Sequence, residues 1–336
     1  MERMKRCLLF ADFLGTSESY SSIERVQRRR ELLESAVEAF FLPILESYDL
    51  YVYIVSDSLF VTCPSVQPLL RPVAKLFNHF LSMEPSGRTE PLRLNLLRGA
   101  ISYGEVAEAS VLKNSERVIA IPMLDDSLPR ATALEKIRKG SRVFLDSIVP
   151  ESLINDQMKY LLKWEHIPGK GSPKTNVCEF LWPCLAYESD HSGLLQSTER
   201  IRAQWLTLLR TKEWEASEYE QGLMVQLDET LKLFIRSLAR FDDEREVRDC
   251  LLSILPKTVD EKTDVTFEWG VWFQALKALC QWSTRTHEME TRVIRDRLEL
   301  VRNILSNDKS YWDSFLTELE KPDYAAFKKS VAAILR

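Results

Sequence analysis

The chain has 336 residues, 45% hydrophobic and 28% charged, with a formal net charge of −5 and an isoelectric point near 5.7. That length suits two domains and that balance suits an ordinary globular protein. The acidic excess argues against a nucleic-acid-binding surface, and no run approaches the roughly 18 apolar residues of a membrane helix.

The basic start, Met1 to Arg6, resembles the n-region of a signal peptide. The apolar stretch behind it stops at Asp12 without a small-residue cleavage site, so no leader is expected. Cys7, Cys63, Cys178, Cys184, Cys250 and Cys280 form no Cys-x-x-Cys pair, and none of the four histidines stands at zinc-ligand spacing with a cysteine. The expectation is reduced thiols, no structural zinc, a cytoplasmic location, and neither nucleic acid nor membrane as a partner.

Cys7 to Asp12 reads as a strand. Residues 18–47 carry Val26, Leu33, Val37, Phe40 and Ile44 at helical spacing. Residues 50–56 and 58–63 are β-branched and aromatic and break at Ser56-Asp57-Ser58, which predicts a hairpin. A helix over 66–83 precedes a long strand region from Leu92 to Val106. A helix over Asp125–Lys139 leads into a short strand, Arg142–Asp146. Two more strands, 160–166 and 176–182, flank Gly169-Lys170-Gly171. The order β-α-β-β-α-β predicts an α+β fold with a ferredoxin-like split βαβ core, with a helix, a strand and a hairpin appended.

Residues 186–199 read as a linker. Beyond it the chain reads as an all-helical domain, with one stripe at Leu223, Leu227, Leu231, Phe234, Leu238 and another at Ile294, Leu298, Val301, Leu305. Six of the eight tryptophans lie in this half, enough for a core of its own. The expected domains are 1–185, the linker 186–199, and 200–336, whose role is packing or dimerisation, with ligand sensing as the alternative.

Asp12 ends its apolar run in Phe10-Ala11-Asp12-Phe13-Leu14-Gly15, and Asp57 tips the hairpin about 45 residues later. A carboxylate at the end of a buried strand is costly unless it faces a cation or a helix start. Two such strands suggest carboxylates converging on a pair of divalent ions about 4 Å apart, as in-line phosphoryl chemistry uses. Taken singly, Asp12 also suits a helix N-cap and Asp57 an ordinary turn.

These residues resemble the class III nucleotide cyclases. The run Phe10 to Gly15 is similar to that family's first metal motif, and Ser56-Asp57 stands where the family has Gly-Asp. Arg98-Gly99-Ala100-Ile101-Ser102-Tyr103-Gly104-Glu105 resembles its next strand. Ala131 to Glu135 resembles the helix that follows, Arg142 to Leu145 the strand after it, and Ile167 to Ser172 its Lys-Gly-Lys-Gly turn. The likeness covers roughly residues 5–185 and leaves the helical half aside. It departs where the family carries a transition-state Asn and Arg, here Pro129 and Ala133, and where a glycine opens the helix, here Asp125. The purine-selecting lysine is Tyr53 here. That combination resembles the pyrimidine cyclases of bacterial Pycsar-type antiphage systems.

The resemblance implies a metal-dependent lyase that makes cyclic UMP, or cyclic CMP, and pyrophosphate from the triphosphate, with ATP and GTP as purine alternatives. It implies two Mn²⁺ or Mg²⁺ ions bridged by Asp12 and Asp57, with Phe13 completing the metal motif, and a homodimer whose active sites are shared. The amides of Phe13, Leu14, Gly15 and Thr16 suit phosphate oxygens, and Lys170 suits the triphosphate as a point charge. Tyr53 would read the base, since a phenol both donates and accepts. Arg130 lies on nearly the same helix face as Ala133 and, like Arg98, is a candidate for the missing transition-state arginine. The competing readings are an inert cyclase-homology module that binds a nucleotide or a partner, and a helical interaction protein on a scaffold.

Overall fold

The computed structural model of the protein describes residues 3–14, 23–83, 95–107, 126–149, 161–167, 175–210, 218–241, 245–257, 265–283, 288–305 and 309–320. The chain divides into two compact units, Met1–Glu188 with Thr211–Thr230, and Ser189–Arg210 with Leu231–Arg336.

The first unit is built on a mixed sheet. β1 (Arg3–Phe13) leads to α1 (Ile23–Phe40), the hairpin of β2 (Tyr51–Val55) and β3 (Ser58–Cys63), α2 (Gln67–Ser82) and β4 (Leu97–Ala107). α3 (Ser127–Glu135), β5 (Val143–Asp146), β6 (Leu162–Ile167), β7 (Thr175–Phe180) and the short α4 (Trp182–Ala186) follow. The strand order is β2-β3-β1-β4-β5-β7-β6. Only β4 and β5 run parallel; the other neighbours are antiparallel. β1 lies between β3 and β4, so the connections β1–α1–β2 and β3–α2–β4 each pass over one strand.

This central place explains why β1 shows a continuous apolar run and no alternation: Cys7 to Ala11 are buried on both faces. On one face Leu8, Phe10, Ala100 and Phe144 pack against Ala131 and Leu134 of α3. On the other, the Phe13 and Phe80 rings meet edge to face with centroids 5.0 Å apart. Gly99 permits this packing, because a Cβ there would lie 2.8 Å from the Phe10 carbonyl oxygen and 3.3 Å from the Phe77 ring. In the hairpin turn Ser56 adopts φ 58°, the left-handed region that favours glycine.

Downstream run α5 (His191–Arg210), α6 (Glu218–Leu238), α7 (Arg245–Ile254), α8 (Val265–Ser283), α9 (Glu288–Ile304) and α10 (Lys309–Leu319). The first turns of α6 belong to the sheet unit. There the Gln226 side chain accepts the Gly140 amide, Thr230 Oγ1 accepts the Ser141 amide at 2.9 Å, and Glu229 lies 2.9 Å from Arg142. Arg142, 1% exposed, also faces Glu179 across 3.4 Å.

In the second unit the predicted stripes are buried: Leu231, Phe234 and Leu238 on α6, and Ile294, Leu298, Val301 and Leu305 at α9. Trp269, Trp272, Trp312 and Phe315 fill the same unit. The stretch 186–199, expected as a linker, contains the boundary between the two units at Glu188–Ser189 and the start of a helix. Helix α5 starts at His191, with Asp190 Oδ1 accepting the Gly193 amide at 3.1 Å, and Leu194, Ser197 and Thr198 are buried. Asp-x-x-Gly here is a helix start, whose polar residues cap amides that would otherwise lack partners.

Candidate functional site

The ladders carry Asp12 and Asp57 to one end of the sheet. Asp12, one residue from the end of β1, stands opposite Ser58 on β3 and opposite Arg98 on β4, so all three side chains emerge on one face. Ser58 donates its hydroxyl to Asp12 Oδ1 at 3.0 Å, and Arg98 Nη2 lies 4.0 Å from Asp12 Oδ2. Burial raises the Asp12 carboxyl above its ordinary value and the charge of Asp57 adds to this; the Ser58 hydroxyl, Arg98 and the Phe13 amide pull the other way.

Asp57 sits in the hairpin turn next to Ser58 and is only 2% exposed. Its Oδ2 is buried without a hydrogen-bond partner. Among the described residues its ion-pair partner is Arg29 of α1, with Nη1 3.5 Å away and the guanidinium 5.2 Å from the centroid of the Phe13 ring. Arg98 is held from its other side by Glu135, the last residue of α3 and 1% exposed. Two carboxylates thus meet with two guanidinium groups, one anchored by Glu135 and one lying on an aromatic ring.

Tyr53 lies on the same face. It pairs with Phe60, which pairs with Phe10, two residues from Asp12. Strand spacing puts its Cα about 12 Å from that of Asp12. Burial raises its phenol above the ordinary value, with Tyr51 adding and Arg6 opposing.

Two expected contributors are used elsewhere. The Leu14 amide, expected at a phosphate, donates to the Leu96 carbonyl at 2.8 Å, because the β1–β4 ladder continues past the last strand residue. Arg130 is drawn into a separate cluster: Nε lies 3.0 Å from Asp146, Nη1 pairs with Asp126, and Nη2 donates to the Tyr103 carbonyl at 2.6 Å. Tyr103 is five residues along β4 from Arg98, about 17 Å. Pro129 and Ala133 are exposed on α3. Phe13 is buried, its ring turned to α2. Gly15, Thr16, Asp125 and Lys170 lie outside the described residues.

Arg29, Ser58 and Glu135 carry the site's polar contacts, yet spacing alone gave them no part in it. Arg29 lies in the run Arg28-Arg29-Arg30, which reads as a solvated helix face, and only the phase of α1 over Phe13 separates it from its neighbours.

Among the described residues no group of three or more His, Cys, Asp or Glu side chains could hold a metal. Asp12 and Asp57 nonetheless fit an ion of the Mg²⁺ type, which takes one or two carboxylates and completes its shell with substrate phosphates and water. The buried Asp57 Oδ2, which accepts no hydrogen bond, leaves lone pairs open to such an ion.

No family model and no curated protein matches the chain. Solved structures do. A bacterial light-regulated adenylyl cyclase aligns over 61% of this chain and 100% of its own at 16% identity, TM-score 0.40. Adenylate cyclases from Trypanosoma brucei, in their monomeric state, align over 53% and 90% at 14% identity, TM-score 0.40. The non-canonical dimeric guanylyl cyclase domain of the RhoGC fusion protein from Blastocladiella emersonii aligns over 54% and 98% at 14% identity, TM-score 0.40. The structural neighbours of this chain are thus adenylyl and guanylyl cyclase domains, at low identity.

Proposed function

We propose that the protein is a metal-dependent nucleotide cyclase. The observation that supports this best is the convergence of Asp12 and Asp57 on one sheet end, with the Asp57 Oδ2 buried and lacking a hydrogen bond. In the reaction the ribose 3′-hydroxyl releases its proton to solvent and its oxygen attacks the α-phosphorus, while the bond to the bridging oxygen breaks and pyrophosphate leaves with that oxygen. Asp12 and Asp57 would hold two divalent ions, Mn²⁺ or Mg²⁺, whose chemistry is to lower the hydroxyl pKa and neutralise the leaving group. Arg98, anchored by Glu135, faces the same space and supplies fixed positive charge where the transition state needs it. The amides of Phe13, Gly15 and Thr16 and the Lys170 side chain are the proposed phosphate contacts. Arg130 takes the transition-state role only if it leaves Asp146.

The substrate we assign is a pyrimidine triphosphate, UTP ahead of CTP. The support is Tyr53 in place of a purine-selecting lysine, on the same face as Asp12. Tyr51 and Val55 on the same hairpin are 45% and 40% exposed. They offer an apolar surface to a second copy, as a homodimer with shared sites requires. A role in bacterial antiphage signalling follows from the motif resemblance.

Purified protein incubated with Mn²⁺ and each of the four nucleoside triphosphates is the test, with mass spectrometry for cyclic mononucleotide and pyrophosphate. Cyclic UMP or cyclic CMP, absent in Asp57→Ala, is the expected result. A cyclic purine product keeps the enzyme and removes the pyrimidine assignment. Metal-dependent nucleotide binding without product favours an inert binding module.

A further inference from the structure

We propose that Arg29 is a resident cation on Asp57 which a divalent ion has to displace, so that metal alone binds the aspartate pair weakly. The inference rests on the metal-site reading given above.

The geometry carries it. α1 lays the Arg29 guanidinium against the Phe13 ring, 5.2 Å from its centroid, with Nη1 3.5 Å from Asp57 Oδ2. The side chains are 18% and 3% exposed, so solvent screens the pair little. An arginine that satisfies a carboxylate makes two parallel N–H···O bonds near 2.8 Å. Here the contact is single and long, and Oδ2 has no hydrogen bond. Arg29 therefore neutralises Asp57 without filling its lone pairs. Those lone pairs stay open to an ion, but at the cost of setting that ion beside a guanidinium.

The surrounding charges sharpen this. Arg98, the other guanidinium, is shared between Asp12 and the buried Glu135. Ser58 adds a hydroxyl to Asp12 and no charge. Of the neighbouring arginines on α1, Arg30 pairs with Glu34 on the exposed side. Among the described residues Arg29 is the cation paired with Asp57, and it is the one the ion must displace. An incoming triphosphate reverses the balance, because its negative charge is attracted to both the ion and the displaced guanidinium. Metal and nucleotide then bind together more strongly than either does alone.

The test is a Mn²⁺ titration of the full chain without nucleotide, following free Mn²⁺ by electron paramagnetic resonance. Wild type is compared with Arg29→Gln, Arg29→Met, Arg29→Lys and Asp12→Asn. Glutamine and methionine are good helix formers, and methionine keeps an apolar contact with Phe13, so α1 is expected to hold. The expected result is Mn²⁺ binding at least about tenfold tighter in Arg29→Gln and Arg29→Met, the size of effect that removing one adjacent charge has on proton binding. Arg29→Lys stays near wild type, and Asp12→Asn loses the site. Unchanged or weaker binding in folded Arg29→Gln and Arg29→Met overturns the inference while leaving the metal site standing. If no variant binds Mn²⁺ and Asp12→Asn matches wild type, the metal-site reading falls and this inference falls with it.

Discussion

Ser58 Oγ donates to Asp12 Oδ1 at 3.0 Å across the β1–β3 ladder, a side-chain hydrogen bond that orients the Asp12 carboxylate. It does not repay the burial of the charge, since the Asp12 carboxyl still lies above its ordinary value. A carboxyl raised in the folded state stabilises the fold below its unfolded value, near 3.8, and loses that contribution as pH rises through the folded value. Asp12→Asn is therefore expected to melt higher than wild type at neutral pH in EDTA, with the gap closing as pH falls toward 4. Thermal melts at several pH values check this. A lower melting temperature in Asp12→Asn at pH 7 contradicts it.

Ser56 occupies the left-handed region at φ 58°, where a side chain costs roughly 1–2 kcal/mol and glycine does not. Glycine also loses more freedom on folding, about 0.5–1 kcal/mol. Ser56→Gly is expected to gain up to about 1 kcal/mol, read from denaturant midpoints at unchanged slope.

Gly99 faces the opposite outcome. Its added Cβ would meet the Phe10 carbonyl, which is backbone in the central ladder and cannot give way. Gly99→Ala is expected to cost about 1–3 kcal/mol by overpacking. Trimming Phe77 to Leu in the same chain relieves only the ring contact, so it recovers part of the loss.

Arg142, Glu179 and Glu229 form a buried charge cluster. Removing Arg142 takes away the guanidinium that lies 3.4 Å from the fully buried Glu179 carboxylate. Arg142→Met is expected to cost about 3–5 kcal/mol, whereas Glu229→Gln, on the more exposed side, costs clearly less. Equal losses in the two variants would show that the cluster is not organised around Arg142.

Burial pushes the thiols of Cys7 and Cys250 up to about 12. Neither carries thiolate at pH 8, so iodoacetamide is expected to leave both unmodified in the native protein and to label both in guanidinium. Peptide mass mapping distinguishes the two conditions.

Much of the fold was legible because its signals are local. The hairpin break at Ser56-Asp57-Ser58, the helical stripes of α1 and α9 and the strand run ending at Asp12 are patterns of neighbours in sequence. The helix start at His191 was not legible, because Asp190 to Gly193 has turn composition, and composition does not separate a loop from a capped helix start. The early turns of α6 were assigned with the rest of the second half because Leu223, Leu227 and Leu231 continue one stripe. That Gln226, Glu229 and Thr230 bond the corner at Gly140–Arg142 depends on contacts some 85 residues apart in the chain.

The candidate site divides in the same way. Asp12 and Asp57 could be named from sequence, because a carboxylate that closes an apolar run is a local anomaly with a physical cost. Tertiary structure decided what surrounds them. The ladder register set Ser58 and Arg98 on either side of Asp12, the phase of α1 laid Arg29 over Phe13, and the packing of α3 brought Glu135 to Arg98. It also took the Leu14 amide and Arg130 away to the Leu96 carbonyl and Asp146. Sequence determines which groups carry charge and which stretches must be buried. Which charges meet is fixed by strand register and helix phase, where one residue of slip turns a side chain to the opposite face.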